Sequence, residues 1–96
     1  MSKKRDKLQI IHDILRVIQE KNGKVKPTQI LYKSNLSHQM MDEYLKELMK
    51  KQFVVETQSS SGKTYSLTQK GFDYLHKYKS IIEFMESFGL NEEETA

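Results

Sequence analysis

The rhythm of the apolar residues changes twice along this chain, and those two changes limit the fold more than any other feature. Up to Lys51 the apolar residues recur at three- and four-residue steps, as they do in amphipathic helices. Phe53-Val54-Val55-Glu56-Thr57 is then rich in strand formers. Gln58-Ser59-Ser60-Ser61-Gly62-Lys63 is polar turn material, and Thr64-Tyr65-Ser66-Leu67 alternates as a returning strand, so a two-stranded hairpin with a flexible tip is predicted. After Thr68 the helical rhythm resumes and lasts to about Phe88. The fold class that follows is α+β, mostly helical.

Within the first half, Leu8, Ile11, Leu15 and Ile18, with Ile14 beside them, form one stripe of a helix over about residues 5–21, ended by Asn22-Gly23. Val25 falls in an extended link. Pro27 suits the first turn of a short second helix, about residues 28–33, that buries Ile30 and Leu31. Ser34-Asn35-Leu36 reads as a turn with Leu36 plugging the gap between helices. Ser37 can cap a third helix by accepting the N–H of Gln39 or Met40. That helix, expected to run to about Lys51, turns Met41, Tyr44, Leu45 and Leu48 inward and His38, Gln39, Asp42, Glu43 and Lys46 outward. Thr68 can cap the last helix, about residues 69–88, and Gly89 can stop it. Phe53, Tyr65 and Phe72 are expected to pack the hairpin onto the helices. One domain over residues 1–90 and a disordered acidic tail over 91–96 complete the expected organisation.

With 96 residues, 36% of them hydrophobic, the core is small, and a cleft that desolvates a substrate is hard to build on it. The absence of cysteine excludes disulfides, thiolate catalysis and cysteine-based metal centres. His12, His38 and His76 are too scattered for a metal site, so no cofactor, no small-molecule ligand and no catalysis are expected. No stretch approaches the roughly 18 apolar residues of a membrane span. MSKKRDK leads into residues broken by His12, Asp13 and Arg16, which is an amphipathic helix and not a secretion signal. A cytoplasmic, nucleoid-associated location is the expectation. The net charge of +3 rises to +6 once the three acids at 92–94 are set aside, and a basic body of that kind suits a polyanionic partner.

The segments NLSHQMMDEYLKELMKKQFV and YSLTQKGFDYLHKY resemble a small archaeal winged helix-turn-helix family of DNA-binding proteins. The resemblance covers roughly residues 5–80. It rests on Asn35-Leu36-Ser37, on Tyr44-Leu45, and on Leu67-Thr68-Gln69-Lys70-Gly71 before the long last helix. It implies three helices with a hairpin wing, binding of double-stranded DNA, and a homodimer formed through the C-terminal helix. The third helix departs from the family by carrying Gln39, Met40, Asp42 and Glu43 where Lys or Arg is common.

A recognition helix enters the major groove by its N-terminal residues. Ser37, His38 and Gln39 lie there, Asp42 one turn on and Lys46 a further turn on. Glutamine can pair with the adenine edge, and aspartate can accept from cytosine N4. Phosphate contacts are then expected from Lys3, Lys4 and Arg5 in an N-terminal arm, from Lys26 and Lys33 around the second helix with the Tyr32 hydroxyl beside them, and from Lys63 at the wing. In the last helix Leu75, Tyr78, Ile82 and Met85 follow the 3-4-3 rhythm of a coiled-coil seam, widened by Ile81, Phe84 and Phe88, and predict a two-fold, antiparallel homodimer. A protein-interaction module of the same fold, without direct DNA binding, is the alternative, and Asp42 and Glu43 fit it.

Overall fold

The computed structural model describes residues 5–21 and 24–90. Its elements are α1 (Lys7–Glu20), α2 (Pro27–Ser34), α3 (His38–Lys50), β1 (Val54–Ser59), β2 (Gly62–Leu67) and α4 (Gln69–Ser87). The order is the expected one: two helices and a tight turn into a third, a hairpin, and a long last helix.

Local chemistry sets most boundaries. α1 starts later than expected because Asp6, not Arg5, begins it. The Asp6 carboxylate accepts the Gln9 N–H at 2.8 Å and the Gln9 side chain accepts the Asp6 N–H at 3.1 Å, a reciprocal cap. Ser37 accepts the Met40 N–H at 3.2 Å, and Thr68 accepts the Gly71 N–H at 3.3 Å. α2, α3 and α4 all end with a residue of positive φ followed by an apolar one. The pairs are Asn35 and Leu36, Gln52 and Phe53, and Gly89 and Leu90. In each, the apolar residue's N–H returns to a carbonyl five residues back, as from Phe53 to Leu48 at 2.8 Å. The expected stop at Asn22-Gly23 and the acidic tail lie outside the described residues.

The hairpin is longer and its tip tighter than the sequence suggests. Val54 pairs with Leu67 and Ser59 with Gly62, leaving only Ser60 and Ser61 to turn. Gly62, at φ +118°, takes the backbone through a conformation that a side chain would resist. The Ser59 hydroxyl donates to the Gly62 carbonyl at 3.1 Å. Val25 does more than link. Its carbonyl accepts the Tyr65 N–H at 2.9 Å, which ties the start of the helix-turn-helix to β2.

One core joins these elements. Ile14, Leu15 and Ile18 of α1, Ile30 of α2, Leu48 of α3, Val25 and Val54 are its most deeply buried side chains. Leu36 is buried as expected, while Tyr44 and Phe53 pack at the margin. Two assignments are corrected. Leu8 is 58% exposed and lies off the buried stripe, which continues instead through Ile10 and Val17. Phe72 is 44% exposed, because the hairpin is held to α4 by Tyr74 packing edge-on against Phe53 at 5.9 Å. Across the surface, Glu47 accepts from Lys7 at 2.9 Å and from Lys51 at 3.0 Å, and these bonds hold its carboxyl below the usual range.

Tyr74 closes the seam between α4 and α1. Its hydroxyl donates to the Leu8 carbonyl at 2.9 Å, and burial pushes its pKa up to about 12. Burial also raises Tyr65, with Glu56 and Asp42 adding to the effect. The unfolded chain ionises these phenols first, near pH 10 (about the free tyrosine value), so their contribution is intact below that pH. It is lost as pH rises toward the folded values. Thermal melts between pH 9 and 12 should show stability falling from about pH 10, and Tyr74→Phe should flatten that fall. An unchanged profile in the variant would remove Tyr74 as a cause.

Candidate nucleic-acid interface

α3 owes its position to one buried face. Met41, Leu45 and Leu48 enter the core, and two residues along a helix point almost oppositely. Gln39, Glu43, Lys46 and Lys50 are therefore the outermost side chains, and their 4-3-4 spacing makes one stripe. All four are exposed. This differs in part from the sequence-based set. Gln39 and Lys46 are on the stripe, but Asp42 lies to one side, close enough to Tyr65 to oppose its ionisation. Lys50 and Glu43 were not among the candidates, although the same helical spacing could have named them. His38 is exposed at the helix start, and the Ser37 hydroxyl is engaged as the cap.

The last turn of α2 exposes Tyr32 (79%) and Lys33. Lys63 stands near the wing tip, 3.8 Å from Glu56 on the neighbouring strand. Arg5 is corrected. Its guanidinium pairs with Asp13 at 2.7 Å and donates to the Asn35 carbonyl at 3.1 Å, tying α1 to the turn before α3. It is thereby a structural tie and not a free arm residue. Lys3 and Lys4 lie outside the described residues.

α4 presents a second surface. The expected seam of Leu75, Tyr78, Ile82 and Met85 faces inward. Leu75, 9% exposed, belongs to its own chain's core. Tyr78 stacks on His12 of α1 with ring centres 4.1 Å apart, and Ile82 and Met85 are half-buried. The outward apolar residues are Ile81, Phe84 and Phe88, also spaced three and four apart, with the two phenyl rings 5.1 Å from each other. A groove of about 790 Å³ between α1 and α4 is lined by His12, Arg16, Phe72, Tyr78, Lys79 and Ile82 among others, all of them from those two helices. Among the described residues no group of three His, Asp or Glu side chains could hold a metal ion, and no helix is long and apolar enough to cross a membrane.

With this geometry in place, the sequence profile of the winged helix-turn-helix family matches residues 4–86. The uncharacterized protein MJ0290 of Methanocaldococcus jannaschii is 33% identical over 84 residues, which are 88% of this chain and 37% of that protein. The chain thus spans little more than a third of that relative's length. Sso10a-2, a DNA-binding protein from Sulfolobus solfataricus, shares the fold with a TM-score of 0.75 at 24% identity, over 88% of this chain and 85% of its own. AF1382 from Archaeoglobus fulgidus gives 0.69 at 23% identity, over 84% and 91%. MepR, a regulator of the Staphylococcus aureus multidrug efflux pump MepA, gives 0.73 at 20% identity, over 88% and 67%.

Proposed function

The chain belongs to the winged helix-turn-helix family, and from that premise we propose that it binds double-stranded DNA as a homodimer. It acts as a transcription regulator or chromatin-associated protein that reads the major groove with α3. The observation that carries this reading is the exposed stripe of Gln39, Glu43, Lys46 and Lys50, opposite the buried face of α3. The DNA binding of Sso10a-2, which has the same fold, supports it. The stripe is not uniformly basic, so it reads bases while Lys33 and Lys63, with Lys3 and Lys4, grip phosphate. His38, Asp42 and the Ser37 hydroxyl flank the reading stripe at the start of the helix. The location is cytoplasmic, on the nucleoid.

The dimer forms through the outer face of α4, where Ile81, Phe84 and Phe88 would otherwise leave an apolar patch in water. The pairing proposed is antiparallel, which sets Ile81 of one copy beside Phe88 of the other.

A salt titration of duplex binding tests the proposal. If Lys33 and Lys63 each neutralise a phosphate in each protomer, replacing either with alanine should flatten the log–log salt slope by about 1.8 per dimer. Little duplex binding even at low salt would reject DNA binding and favour a protein-interaction module.

A further inference from the structure

Glu43 is poorly placed for a DNA-reading helix, since an acid in mid-stripe repels phosphates. Lys46 lies one turn on, within reach of an ion pair, yet Glu43 makes none among the described residues. Instead its Oε2 accepts a hydrogen bond from Gln39 Nε2 at 3.3 Å. Both residues are exposed and on the ridge farthest from the core, so this bond lies on the surface that would meet base edges.

A free glutamine amide can turn over about its last torsion, exchanging oxygen for nitrogen. In one orientation it accepts from adenine N6 and donates to N7. Turned over, it can donate to guanine O6. A carboxylate only accepts, so Glu43 can engage only the amide's nitrogen. The second N–H and Oε1 stay available to a base. We propose that Glu43 is a positioning residue that fixes the Gln39 amide in the orientation that selects adenine over guanine at one position of each half-site. Guanine there sets its O6 against Gln39 Oε1, acceptor against acceptor. The acid thus lowers general affinity and raises selectivity.

This inference rests on α3 entering the major groove, and one experiment separates the two. Duplexes selected from a random pool by the intact protein define the site, and binding to single-base variants gives the preference at each position. Adenine should be preferred over guanine at one position per half-site, and Gln39→Ala should erase that preference. Glu43→Ala should reduce it about fivefold or more at the same position while strengthening overall duplex binding. Glu43→Gln should reduce it too, because the new amide can turn over and donate to Gln39 Oε1, which the carboxylate cannot do. A preference unmoved by Glu43→Ala, or a loss confined to cytosine at another position, overturns the positioning role and leaves DNA binding standing. Failure of the wild-type protein to retain any duplex overturns both.

Discussion

Gly71→Ala should unfold at a markedly lower temperature than the wild type, with a loss of about 2 kcal/mol. A Cβ at position 71 would stand 2.6 Å from the Phe53 carbonyl oxygen and 3.2 Å from Leu67 Cδ2. The leucine can give way a little, but the carbonyl cannot easily do so. Phe53 O accepts the Thr68 N–H at 3.1 Å, and the adjoining carbonyls of Gln52 and Lys51 are held by the Thr68 hydroxyl and by Lys70 Nζ. Relief of the collision therefore means separating the start of α4 from the end of α3. Alanine's better helix propensity, about 1 kcal/mol, offsets only part of that cost. For a domain of this size the melting temperature should fall by roughly 10 °C. Urea or thermal unfolding showing equal or greater stability would mean that the helix shifts freely and that the close approach is not required.

A double substitution, Ile81→Glu with Phe88→Glu, should give a folded monomer with far weaker DNA binding. Both side chains are more than half exposed on the single chain, so the change removes no core contact. On the proposed antiparallel pairing it places four like charges in an apolar seam. Sedimentation should shift from dimer to monomer while circular dichroism stays unchanged. With the second α3 no longer tethered, affinity for a two-half-site duplex should drop about 100-fold, the loss of effective concentration. Binding to an isolated half-site should change little. A wild type that sediments as a monomer at tens of micromolar would reject the dimer. A variant that remains dimeric would move the seam elsewhere on the surface.

These two expectations come from features that were unequally legible in the sequence. Gly71 was visible as the last residue of a Leu-Thr-x-x-Gly step, but its reason is a carbonyl 18 residues earlier, which no local pattern reveals. The apolar stripe of α4 was visible too, but not which part of it the chain's own core covers. Leu75, Tyr78, Ile82 and Met85 and the set Ile81, Phe84 and Phe88 both have helical spacing. Which set is free depends on where α1 lies, and the His12–Tyr78 stack shows that α1 covers the first. The pairing of Arg5 is hidden from the sequence for the same reason. Its partners, Asp13 and Asn35, come near only once α1 meets the turn before α3.

Order, class and boundaries followed from the sequence by itself, because caps, periodicity and turn chemistry act within four or five residues. Ser37, Thr68, Asn35 and Gly89 sit where their side chains or their tolerance of positive φ require. The candidate site was half legible: the inward face of α3 named its outward stripe, and Gln39 and Lys46 were on it. Tertiary structure alone decided which charges remain available, which apolar face of α4 stays uncovered and why position 71 lacks a side chain. Those properties depend on what other elements pack against a surface, and residues far apart in sequence meet only when the core closes.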